Sequence, residues 1–358
     1  MNFGPSFYIP VLKIKRGEKK ALQLIAPHIR AGLLPLLEVV ERRAPPGRVP
    51  PALSKHLTTA FTGLDAVVAG FPRYFLDCKE IAPDGAAGAA DAFARAAGLP
   101  TSFTPVTGIT RTSDVAAAMT HRRNGIAIRL TREEFEAGLI PSRLPAFLRT
   151  HSLAPQETDL IVDLGPVDDM IAAGVEALTA AFLADVPVHR QWRTLTVSGC
   201  AFPSSMGGID ANSSDLVERA EWVAWRDGLH AHRNALERLP TYSDCAIQHP
   251  TGVEGFDPRI MPVSAAVRIT HFDQWLLVKG VSTRNIPAKL QFPRLATQLV
   301  YGNLRPWFAG AAHCAGCADM VNAANGAPGL GGPEAWRRLG TIHHLTRAVE
   351  MIAGLSWP

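Results

Sequence analysis

No run of the sequence is apolar for the roughly 20 residues that a helix needs to cross a bilayer. The longest candidate, residues 32–40, is shorter and is broken by Glu38, so no transmembrane helix is expected. Cysteine is scarce as well. Cys78, Cys200, Cys245, Cys314 and Cys317 are an odd number of thiols scattered over 358 residues, unlike the dense, even pattern of a disulfide-stapled secreted domain; reduced thiols are expected. The opening residues lack a basic start, an apolar run and a small-residue cleavage site, which predicts a cytoplasmic protein. Neither charge dominates: 36 Lys and Arg face 32 Asp and Glu, a formal net charge of +4, too small to imply nucleic-acid binding by itself. No G-x-G-x-x-G follows the first strand candidate, as a dinucleotide-binding fold would require.

Hydrophobic residues make up 47% of the chain and charged residues 19%, the balance of a folded protein rather than a disordered one. Short apolar runs alternate with longer helical stretches up to about residue 250, the signature of βαβ units and a parallel sheet. Eight strands are predicted, over 7–15, 33–40, 73–80, 102–109, 125–131, 158–164, 193–199 and 242–248. Helices are predicted over 18–30, 52–69, 86–97, 113–121, 132–148, 167–183 and 214–236. Ser113-Asp114 and Ser213-Ser214-Asp215 serve as N-cap signals, and Gly32 and Gly98 as stops. Eight repeats favour an α/β fold of the (β/α)8 TIM-barrel type, which takes about 250 residues. Residues 1–250 would supply the strands and seven helices. Residues 251–332 would form an insertion with a β-hairpin (265–270 and 274–279), a helix over 293–301 and a Gly/Ala-rich loop, and 333–358 a terminal helix closing the barrel.

In such barrels the reacting groups project from the C-terminal ends of the strands. Those positions hold Lys13, Lys15, Glu38, Asp77, Lys79, Arg129, Asp163, Ser198, Asp244 and Gln248. Side chains two apart share a face, and a charge pointed at the helix layer would be buried at a cost of several kcal/mol, so the pairs Lys13/Lys15 and Asp77/Lys79 are expected to point into the mouth. Glu38, Asp77, Lys79 and Asp163 are the candidate catalytic groups. Lys13, Lys15, Arg129, Ser198, Asp244 and Gln248 are the candidate ligand contacts. The alternative is an ion-pair network that fills the barrel without reacting. Gly-rich turns at 204–208 and 251–255 stand where barrels often bind phosphate. His313, Cys314 and Cys317 offer metal-type ligands, but C-x-x-C without a second pair is weak and the adjacent His343 and His344 diverge by about 100° on a helix, so no metal is expected. The predicted helix 214–236 carries Arg219, Trp222, Trp225, Arg226, His230 and Arg233, which would either pack inside or stack on a nucleic-acid or protein partner. No cofactor is identifiable.

Asp77-Cys78-Lys79 resembles the D-x-K element of orotidine-phosphate decarboxylase-like barrels, but Ala82 stands where a second Asp belongs. A broader resemblance lies in Tyr8-Ile9-Pro10-Val11-Leu12-Lys13-Ile14-Lys15-Arg16-Gly17-Glu18, Leu34-Pro35-Leu36-Leu37-Glu38-Val39, Trp336-Arg337-Arg338-Leu339-Gly340 and His343-His344. These segments resemble the beta protein family of phages and bacterial genomes. The resemblance implies a phage-linked setting and phage–host conflict, and it implies that Lys13, Lys15, Glu38, Arg337 and His343 or His344 gather at one mouth. Two functions stay open: a barrel that binds or acts on an anionic, phosphate-bearing or nucleotide-like ligand, and a non-catalytic protein that recognises a phage or host macromolecule.

Overall fold

The computed structural model describes residues 3–44, 47–251 and 263–356. Strand β1 (Tyr8–Lys13) pairs in parallel with β2 (Leu36–Glu38) on one side and with β9 (Thr241–Asp244) on the other, and this double pairing closes the sheet. The remaining staves are β3 (Tyr74–Asp77), β4 (Phe103–Thr107), β5 (Ile126–Thr131), β6 (Thr158–Pro166) and β7 (Thr194–Cys200). All eight barrel neighbours are parallel and run in the order β1-β2-β3-β4-β5-β6-β7-β9. Each stave falls within or on the edge of a predicted strand. Their continuous burial, as in Tyr74–Asp77 and Phe103–Thr107, is what a parallel sheet covered by helices requires. No helix among the described residues is long and apolar enough to cross a membrane.

The predicted helix over 214–236 is not what forms. Its first part is a strand, β8 (Ser213–Glu218), which leaves the barrel and pairs antiparallel with β11 (Gln274–Ser282); β11 pairs in turn with β10 (Ser264–His271). Ser213-Ser214-Asp215 reads locally as a cap, but these are indifferent helix formers, and a partner strand some sixty residues away takes their backbone groups instead. Only Ala220–Val223 is α-helical, and it continues as a π-helical segment over Ala224–His230.

The three-stranded sheet is covered by the helices Ala288–Val300 and Ala315–Ala324, which form a second apolar core with Trp336 and Leu339. The stretch expected as a Gly/Ala-rich loop therefore contains a helix, consistent with the high helix propensity of its alanines. The terminal helix, Pro333–Ala353, packs against β1, the first helix Arg16–Leu24, β10 and the helix Ala315–Ala324. Two glycines make that packing possible. A Cβ on Gly316 would sit 2.5 Å from the Leu339 carbonyl oxygen, and one on Gly340 would sit 2.9 Å from that of Arg268.

Candidate functional site

Inward side chains fill the barrel in layers. At the N-terminal end Asp159 accepts from Arg193 Nη2 at 2.6 Å and Thr194 Oγ1 at 2.7 Å, and pairs with Arg73 at 3.2 Å. Phe3 and Phe75 lie 5.0 and 5.2 Å from that Arg73 guanidinium. This end is a structural plug.

At the C-terminal end the centre is Arg129. Its Nε donates to Asp163 Oδ2 at 2.8 Å, and its Nη1 to Glu38 Oε1 at 2.7 Å and Asp77 Oδ2 at 2.9 Å. Parallel registry places Glu38 beside Asp77 and Lys13 beside Glu38 on neighbouring strands, so one guanidinium spans the floor of the mouth. Asp77 is held from a second direction by Arg111 at 2.6 and 3.2 Å, and its Oδ1 accepts the Lys79 backbone N–H at 2.9 Å. Burial would push the Asp77 carboxyl up, but Arg111 and Arg129 outweigh it and hold it below the usual carboxylate range. Burial acts likewise on Asp163 and is outweighed by Arg129 and Lys79. Burial opposes the charge on Arg129, yet its three carboxylates keep that guanidinium firmly protonated. Arg111 was not among the expected site residues. It sits in the loop after β4, one of the βα loops from which barrel sites are built.

The structure places the predicted residues unevenly around this floor. Glu38, Asp77, Arg129 and Asp163 meet directly. Lys79 is exposed above them and makes no ion pair among the described residues, but it is near enough to lower both Asp77 and Asp163. Lys13 is paired with Glu80. Beside it, at the rim over β1, stand Lys15, Arg268 and Arg337. Although its side chain is exposed, Lys15 loses part of its hydration to surrounding protein, which lowers its pKa; repulsion from Lys13 and Arg337 adds to this against Glu18 and Glu80. Burial lowers Arg268 to about 10, with Arg337 adding and Glu18 opposing. Gln248 donates to that same Glu18. The Arg268 and Arg337 Nε atoms are buried without a hydrogen-bond partner among the described residues. Arg268 comes from β10, which sequence position alone does not associate with the mouth.

Ser198 is buried within the barrel, accepting from Ser243 Oγ at 3.0 Å. Asp244 and His343 are not at the mouth. Asp244 faces the helix layer, where it accepts from Tyr8 and from Tyr242 at 2.8 Å and lies 3.2 Å from His344 Nε2. Tyr242 Oη also lies 3.1 Å from Glu221 Oε1. One phenol proton cannot serve both acids, and burial, reinforced by Asp244, pushes Glu221 up to about 8. In its protonated form Glu221 donates to Tyr242, which leaves the phenol proton for Asp244. His343 turns the other way on the terminal helix, toward the Thr270 carbonyl and Cys317.

Two N–H groups of the turn at 204–208 are already engaged by protein acceptors: Ser204 N–H donates to Asp168 at 3.2 Å and Gly207 N–H to Ser205 Oγ at 2.9 Å. Beyond Thr251, the turn at 251–255 lies outside the described residues. Trp222, Trp225 and Arg219 are all buried; the two indoles stack 5.8 Å apart against Tyr242 and have no face free for a base. A family model described as Beta protein matches residues 8–350 of the chain. No curated protein matches it.

Proposed function

We propose that this chain, which belongs to the beta protein family, binds an anionic, phosphate-bearing or nucleotide-like ligand at the mouth of its barrel. The supporting observation is the imbalance of charge around the mouth. Below, Arg129 and Arg111 are matched by Glu38, Asp77 and Asp163. Above, Lys79 makes no ion pair among the described residues, and Lys15, Arg268 and Arg337 crowd together with Glu18 as their nearest counter-charge. Cations that repel each other at a solvent-facing rim gain from an anion that joins them.

Binding is favoured over acid–base chemistry because arginine holds Asp77 and Asp163 ionised and below the usual carboxylate range, which leaves them no proton to donate near neutral pH and makes them weak proton acceptors. In this reading Lys15, Lys79, Arg268 and Arg337 contact the ligand, and Arg129 with its carboxylates forms the rigid floor. A place in phage–host conflict, with a nucleotide-like signal or metabolite as the ligand, fits the family resemblance.

Calorimetric titration with pyrophosphate and with a nucleoside triphosphate, on the wild type and on Lys79→Ala, tests the proposal. Saturable binding weakened at least tenfold in the variant, with an unchanged melting temperature, is expected. No binding by the wild type, or equal binding by both proteins, would overturn it.

A further inference from the structure

The pair in His313-Cys314-Ala315-Gly316-Cys317 has no second C-x-x-C in the sequence, so the spacing alone predicts no metal there. The fold supplies the missing ligands from elsewhere. Gly316 brings the start of the helix Ala315–Ala324 against the backbone of the terminal helix at Leu339, where any side chain would collide. One turn further along, the terminal helix presents His343. Cys317 Sγ lies 3.2 Å from His343 Nδ1. Cys314, whose sulfur accepts the Cys317 N–H at 3.3 Å, caps the shorter helix and faces the same point. Ligand atoms of His313, Cys314 and His343 all lie within 4.8 Å of one another.

The hydrogen bonds around the two imidazoles set which nitrogens face inward. His343 Nε2 is 2.8 Å from the Thr270 carbonyl oxygen, which can only accept, so the ring proton sits on Nε2 and the Nδ1 lone pair points at the sulfurs. His313 Nδ1 lies 3.4 Å from Glu350 Oε2, while its Nε2 is buried without a hydrogen-bond partner among the described residues. A carbonyl behind one imidazole and a carboxylate behind the other are the outer partners that metal-bound histidines ordinarily have. In a tetrahedral zinc site, bond lengths of about 2.3 Å to sulfur and about 2.0 Å to nitrogen put the ligand atoms roughly 3.3–3.8 Å apart. Cys317 Sγ and His343 Nδ1 already stand at about that spacing, and the mutual distances within 4.8 Å among His313, Cys314 and His343 would have to close toward it on binding.

We propose that His313, Cys314, Cys317 and His343 form a four-coordinate zinc site. Two thiolates and two imidazoles suit zinc over the hard cations, and four protein ligands leave no open position, which makes the site structural. It ties the 313–314 segment and the helix Ala315–Ala324 to the terminal helix. The next residue on that helix, His344, contacts Tyr8 and Asp244 of the barrel wall. The metal therefore clips the C-terminal elaboration to the barrel.

The full chain, purified without chelator and dialysed against metal-free buffer, should carry about one equivalent of zinc by mass-spectrometric metal analysis. Cobalt(II) added to the stripped protein should give the thiolate charge-transfer absorption and the visible bands of tetrahedral cobalt. Cys314→Ser should lose both, and zinc should raise the melting temperature of the stripped wild type but not of the variant. The wild-type readouts keep the test decisive should the variant fail to fold. No bound metal with no thermal response to zinc, equal cobalt spectra for wild type and variant, or a Cys314–Cys317 disulfide in anaerobically prepared protein would overturn the proposal.

Discussion

Arg129 Nη1 lies 2.9 Å from Asp77 Oδ2, and both side chains are almost completely buried, at 3% and 0% exposure. A cation this deep is retained by its partners, because removing one member of a buried ion pair leaves an uncompensated charge and costs roughly 3–5 kcal/mol. Arg129→Ala strands Glu38 and Asp163 along with Asp77. The variant should show a loss of about that size in urea unfolding. Arg129→Lys should recover only part of it, since an ammonium cannot reproduce the fork that reaches all three carboxylates. A near-neutral Arg129→Ala would mean that water, not arginine, satisfies the floor of the mouth.

The same pairing sets the acid limit of the fold. Asp77 and Asp163 titrate below their ordinary range in the folded protein. Their stabilising contribution is present above the unfolded-state value near 4 and is lost as pH falls through the lower folded values. Stability should thus fall steeply below about pH 4. Asp77→Asn, less stable at neutral pH, should show a shallower decline over that window. Parallel curves for the two proteins would show that Asp77 does not drive acid unfolding.

The rim behaves differently from the floor. Lys15 and Lys79 are exposed, and neither makes an ion pair among the described residues, so Lys15→Ala and Lys79→Ala should each change stability by less than about 0.5 kcal/mol. Arg337→Ala removes a cation that repels Lys15 and Arg268 and should leave the melting temperature unchanged or slightly higher. If the rim holds an anion, all three should weaken its binding, and raising salt from about 50 to 200 mM should weaken it further by screening. Salt-independent binding would point to an apolar contact instead.

The strands were legible because each stave of a parallel barrel is buried on both faces and writes itself as a short apolar run, and eight such runs imply closure. The charged floor was legible for a related reason: polar residues at strand ends, such as Glu38, Asp77, Arg129 and Asp163, interrupt those runs at the same point in successive repeats. What local pattern could not show was pairing at long range. Ser213–Glu218 carries helix-cap residues yet is bound by β11. Asp244 stands at a strand end like the others, but its parity aims it at the helix layer, where Tyr8, Tyr242 and His344 receive it. Arg268 reaches the mouth from the added sheet, and Cys317 meets His343 only because the helices cross at Gly316.

That crossing gives a steric prediction. A methyl group at Gly316 would stand 2.5 Å from the Leu339 carbonyl oxygen and 3.2 Å from Ile342 Cβ, and both are fixed parts of a helix. Overpacking of this kind costs about 1–3 kcal/mol. Gly316→Ala should lower the melting temperature although alanine is the better helix former, and it should separate Cys317 from His343. Its neighbour Ala315→Ser changes one atom at the same turn without the clash and should be nearly neutral. A stabilised Gly316→Ala would mean that the two helices do not touch there.

The pair Glu221 and Tyr242 makes stability depend on pH at the alkaline end. Tyr242 Oη lies 2.8 Å from Asp244 Oδ2 and 3.1 Å from Glu221 Oε1, so one phenol proton faces two acids, and a protonated Glu221 supplies the second proton. Burial raises Glu221 to about 8, against an ordinary value near 4.3. A carboxyl raised on folding contributes stability that is fully present below its unfolded value and is lost as pH rises through its folded value. The wild type should therefore lose stability between about pH 5 and 9, on the order of a few kcal/mol, because each pH step between the two values costs at most roughly 1.4 kcal/mol. Glu221→Gln keeps a donor toward Tyr242 and has no proton to lose. Its melting temperature should be nearly flat across that range and should exceed that of the wild type at pH 9, while near pH 5 the two should be similar. Because only this residue differs, subtracting the two curves isolates its titration from that of every other group. A difference that does not change with pH would mean that Glu221 is ionised throughout, with Arg219, not Tyr242, as its controlling partner.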